Sequence, residues 1–122
     1  MATESVTRRS LTRLDYVAVV LAALTGLIHL VLGAAALASN LADPLGIAFI
    51  GAAAGFAAGI VAVLRGGDRA RRLAIGLGIP FVLGQIVLYL LLNWPNIFGI
   101  GGVVDKIVQI ALLAVLVVLY RQ

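Results

Sequence analysis

The chain has 122 residues, 63% of them hydrophobic and 11% charged, with a mean hydropathy of +1.17 and a formal net charge of +4. A soluble domain keeps roughly a quarter of its residues charged, whereas here the few charges stand at the ends of long apolar runs, the pattern of an integral membrane protein. Cysteine is absent, which excludes a disulfide framework, a thiol nucleophile and a thiolate metal site.

Residues 1–14 read as a cytoplasmic basic tail, with Arg8, Arg9 and Arg13 against Glu4. Beside an anionic leaflet each such residue gains roughly 1 kcal/mol. The first apolar run extends from about Asp15 to Ala38, interrupted only by Thr25 and His29, the sole histidine. About 20 residues at 1.5 Å rise cross a hydrocarbon core, so this run spans with some tilt. Arg8-Arg9, the apolar run and Ala36-Leu37-Ala38 also resemble a secretory signal with its cleavage site. A signal core is about 7–15 residues long, which favours a retained span.

Pro44 suits the first turn of a second span, expected over 44–64. Its middle places Gly51, Gly55 and Gly59 at four-residue steps, one helix face without side chains. Such a face is expected to be a packing groove inside the bundle, with a homodimer face as the second reading. Arg65 to Arg72 is a charged connection with a flexible turn at Gly66-Gly67. A third span follows over 73–92, with a kink expected at Pro80. Residues 93–102 form a loop whose Trp94 and Phe98 suit the membrane–water interface. The fourth span covers 103–120 and ends on the interfacial pair Tyr120 and Arg121. No repeat relates the halves, so an inverted-repeat transporter finds no support.

The tail, the Arg65–Arg72 connection and Arg121 together hold eight of the nine basic residues, Lys106 being the ninth. Basic residues stay on the cytoplasmic side, so both termini and the middle connection are expected inside. The fold class is therefore all-α, a four-helix transmembrane bundle of up-down topology, forming a single domain over 15–122 in the cell membrane.

That topology puts three polar pairs at one depth. Thr25/His29, Gln85/Tyr89 and Asp105/Gln109 are each spaced i, i+4, so each pair shares a helix face, and all three fall in the outer half of the membrane. Polar groups cost several kcal/mol in hydrocarbon, so they should face one another. A buried cluster of His29, Gln85, Tyr89 and Gln109 is expected, with Asp105 and Lys106 at its outer mouth. It serves either as interhelical hydrogen bonding, worth about 0.6 kcal/mol per bond, or as a small outward-facing cavity for a polar ligand, an ion or a proton.

Enzymatic chemistry is not expected. A nucleophile needs a partner base, and Ser5, Ser10 and Ser39 all lie away from mid-membrane. One histidine and one nearby aspartate are too few for a metal. A haem between two histidines would require His29 from each of two chains. The chain has the length of small four-helix drug exporters, but those rely on a buried acidic residue in the first span, where this chain has only Asp15 at the cytoplasmic end. No cofactor and no nucleic-acid partner are expected.

Together, LTRLDYVAVVLAALTGLIHLVLG and GVVDKIVQIALLAVLVVLYR resemble small four-span membrane proteins of halophilic archaea. In that uncharacterised family a histidine-bearing first span and an Asp-Lys opening of the last recur. The resemblance implies the same fold and a halophilic host, and carries over no catalytic residue. Two functions remain open from sequence: a binding or transport module around His29, or a structural or accessory subunit in a homodimer or a larger membrane complex.

Overall fold

The computed structural model describes residues 10–122, so the expected basic tail up to Arg9 lies outside the described residues. Four helices follow in order: α1 (Arg13–Ser39), α2 (Pro44–Arg65), α3 (Gly67–Asn93) and α4 (Ile100–Arg121), with no strand among the described residues. Each is long and apolar enough to cross a membrane.

The helix ends follow from local chemistry. Thr12 caps α1 through a capping box: its hydroxyl accepts from the Asp15 amide at 3.3 Å, and the Asp15 carboxylate accepts from the Thr12 amide at 2.8 Å. Asp43 caps α2 by accepting from the Leu45 and Gly46 amides, with Pro44 in the first turn. Between α2 and α3 only Gly66 is non-helical, and Gly67 supplies the positive φ of 80° that the reversal requires. α3 starts six residues before the expected Leu73. After Gly67 the run DRARRLA contains no helix breaker, and arginine is a good helix former, so the charged stretch is helix instead of loop. α3 continues unbroken through Pro80, whose missing N–H removes the regular bond to the Gly76 carbonyl. α4 begins three residues before Val103, with Gly101 and Gly102 in its first turn, where amides need no intrahelical acceptor.

The helices stand in a square. α1 and α3 each pack on α2 and α4, while the α1–α3 and α2–α4 diagonals have no backbone contact. The most extensive approach joins α1 to α2. A methyl group at Gly33 would lie 2.8 Å from Ile50 Cδ1, and one at Gly46 would lie 3.0 Å from Ala36 Cβ. The α2 glycine face is divided. Gly55 lies under the Phe81 ring, whereas Gly51 and Gly59 have open space where a side chain would go. Close packing of α2 on α1 thus falls to Gly26, Gly33 and Gly46 instead of the four-residue stripe. The apolar core, built on Phe56, Ile75, Val82, Leu112, Leu116 and Leu119, is small. Lipid tails are as apolar as leucine, so burial alone does not hold such helices together, and polar contacts take a larger share.

Candidate functional site

Two groups of buried polar side chains cross the bundle, one in each half. The group in the half expected to face outward, the outer group, contains Thr25, His29, Asp105 and Gln109, all buried, with Gln85 and Lys106 partly buried. Thr25 donates its hydroxyl proton to Asp105 Oδ1 at 2.6 Å, and accepts from Gln109 Nε2 at 3.2 Å. Lys106 Nζ donates to Asp105 Oδ2 at 2.8 Å and to Gln109 Oε1.

Those bonds fix the direction of the whole circuit. An ammonium only donates, so Gln109 must turn its oxygen toward Lys106 and its nitrogen toward Thr25 and Gln85. Gln109 Nε2 then donates to Gln85 Oε1 at 2.7 Å. Gln85 is left with its own Nε2 buried and without a partner among the described residues. Asp105 and Lys106 balance each other in charge, as a buried carboxylate requires.

His29 stands beside this circuit. Its Nδ1 lies 2.8 Å from the Thr25 carbonyl, which can only accept, so Nδ1 carries the proton. The same nitrogen lies 3.9 Å from Asp105 Oδ1. The imidazole is held edge-on to Phe49 and tilted against Phe56, with ring centroids at 5.5 and 5.9 Å.

Of the residues expected to cluster, the structure brings together Thr25, His29, Gln85, Asp105 and Gln109. Asp105 lies inside the cluster and not at its mouth. α1 and α4 are in direct contact there, which lets Thr25 reach its carboxylate. Tyr89 takes a different place. Its hydroxyl donates to the Ile97 carbonyl at 2.7 Å, and Lys106 Nζ stands 5.1 Å over its ring. The α4 residue Gly102 allows this, because any side chain there would collide with the phenol.

The inner group was not anticipated from sequence. Asp15, 1% exposed, accepts on Oδ1 from Arg71 Nε at 3.0 Å and Nη2 at 2.6 Å. Its Oδ2 accepts from the Thr12 amide and hydroxyl. From sequence, Arg71 falls in the charged connection Arg65–Arg72. The available signal was periodicity, since Arg71, Ile75 and Val82 share one face once α3 is extended to Gly67.

Between the two groups lies an apolar cavity of about 470 Å³, reaching from Asp15 up to Phe56, Phe81 and Leu112. It stops short of His29 and Gln109. No group of three or more potential metal ligands exists among the described residues. Compared with known protein families, characterised proteins and solved structures, the chain matches none.

Proposed function

We propose that the chain is a non-enzymatic protein of the cell membrane that acts as a structural or accessory subunit, packing against a larger membrane partner. The observation that carries this reading is the mutual satisfaction of four members of the outer polar circuit. Thr25, Asp105, Lys106 and Gln109 satisfy one another, and the bundle's large cavity ends below them. Groups so engaged fix which helix faces meet. The chain's interactions then fall on its outer surface. There Gly51 on α2 is exposed, and a Cβ added to it would meet nothing within 4 Å among the described residues, a place where another backbone can approach closely.

Extraction from native membranes in mild detergent tests this reading. A partner should be recovered in fixed ratio, and Gly51→Leu should reduce its recovery while leaving the melting temperature of the isolated chain unchanged. Recovery of the wild-type chain as a lone monomer would overturn it. One observation favours the rival, an outward-facing ligand site: the unpaired Gln85 Nε2 beside the circuit. That reading requires Gln85→Leu to abolish cellular function at unchanged stability.

A further inference from the structure

The cavity opens sideways, and its opening can be located from the exposure of its walls. The α1 and α4 residues that line it, including Ala18, Leu112, Leu116 and Leu119, are buried or half-buried. Its exposed lining residues lie only on α2 (Gly55, Ala58) and α3 (Leu73, Leu77, Phe81). The mouth is therefore the seam between α2 and α3, facing lipid. One end of the seam is closed by Phe81, which lies against Gly55 and packs on Phe56 at 5.0 Å between ring centroids. The other end is closed by the Gly66-Gly67 turn.

The dimensions suit a chain molecule. From Ala70 to Val82 the lining on α3 covers about 18 Å at 1.5 Å per residue, close to the depth of one leaflet in a hydrocarbon core of about 30 Å. A volume of about 470 Å³ falls within the range of small-molecule sites and is about three times that of an apolar cavity that holds benzene. Charge distinguishes the occupant further. Arg69, Leu73 and Leu77 follow one another at four-residue steps, so exposed Arg69 stands one turn beyond the seam on its own face. Exposed Arg65 ends α2 at the same end of the seam, next to the Gly66-Gly67 turn.

We propose that the α2–α3 seam binds one anionic phospholipid, with an acyl chain in the cavity and the phosphate headgroup between Arg65 and Arg69. The lipid comes from the leaflet at the arginine-rich end, the cytoplasmic one by the distribution of basic residues. Gly59 is the gatekeeping position. It lines the cavity, and a Cβ there would meet no described atom within 4 Å, so the position has room to begin a side chain that occupies the seam.

The test uses the full chain in nanodiscs of equal parts phosphatidylglycerol and phosphatidylcholine, with retained lipid read by native mass spectrometry. The wild type should keep one phosphatidylglycerol per chain in preference to phosphatidylcholine. The double variant Arg65→Gln/Arg69→Gln should weaken that retention by roughly 30-fold, the loss of two arginine contacts with an anionic surface. Gly59→Leu should abolish it. Should Gly59→Leu unfold, a phosphatidylglycerol with a mid-chain photoreactive group reads the same point in the wild type, by labelling peptides that contain Ala58, Gly59 or Leu77. Equal retention of both lipids, unchanged retention in Gly59→Leu, labelling spread over α1 and α4 outer faces, or a dimer that Gly59→Leu dissociates would each overturn the proposal.

Discussion

At the arginine end of the bundle the α1–α3 diagonal is bridged in one step, by Asp15 and Arg71. At the other end it is bridged in two, from Thr25 on α1 to Gln109 on α4 and on to Gln85 on α3. The first bridge concentrates four donated bonds on a single carboxylate and leaves none of its lone-pair directions idle. The second spreads its bonds over five side chains and ends on a donor with no acceptor. Helices on a diagonal cannot be held by backbone proximity, so each end uses long polar side chains to span the gap. A concentrated bridge fails when any one member is lost. A distributed one loses its links one at a time.

The largest effect should therefore come from Arg71→Ala. It strands the Asp15 carboxylate in a site 1% exposed, and breaking a buried pair on one side costs about 3–5 kcal/mol. Unfolding in mixed micelles with increasing dodecyl sulfate measures it. Replacing both members, as in Asp15→Leu/Arg71→Met, should recover much of the loss, because two apolar groups leave no charge behind. A double variant no better than Arg71→Ala would show that the pair is not the source of the effect.

Lys106→Met should follow at about 1–3 kcal/mol. The Lys106 side chain is 14% exposed against 6% for Arg71, and Asp105 keeps the Thr25 hydroxyl when the lysine is removed. The two bridges lie about 15 Å apart along α1, from Asp15 to Thr25, so Arg71→Ala and Lys106→Met should add within about 0.5 kcal/mol. A larger coupling energy would mean that the bridges act as one unit.

The unequal visibility of these sites in the sequence has a physical basis. The outer circuit could be found because its residues, and His29 beside it, interrupt apolar runs: Thr25, His29, Gln85 and Gln109 stand where hydrocarbon tolerates nothing unpaired. Four helices and their order were legible for the same reason. The inner pair was hidden because arginine and aspartate at a span end usually meet water, and nothing local separates Arg71 from Arg69 or Arg72. Only the true start of α3 turns Arg71 inward. The cavity was equally hidden, since an apolar wall reads the same whether it faces a neighbour or empty space. The division of the glycine stripe likewise depended on where Phe81 lies.

His29→Gln probes a residue beside the circuit and not within it. The glutamine amide can still donate near the Thr25 carbonyl, so the hydrogen bond is largely replaced. What disappears is the ring between Phe49 and Phe56, and aromatic contacts of this kind contribute about 0.5–1.5 kcal/mol. A loss of about 1 kcal/mol in the same micelle assay is expected. A loss as large as that of Lys106→Met would place His29 within the charge balance of Asp105.

The smallest effect should come from Gln85→Leu, and its sign matters more than its size. The substitution takes one bond from Gln109 Nε2, which still donates to Thr25. It also removes the buried Gln85 Nε2, whose desolvation nothing in the circuit offsets. A lost bond contributes about 1 kcal/mol and an unsatisfied buried donor costs about 1–3, so the net change should lie within about 1 kcal/mol of zero and lean toward greater stability. A substantial loss of stability would mean that Gln85 Nε2 has a partner in the membrane, and the outer circuit would then be open toward a ligand at that one point.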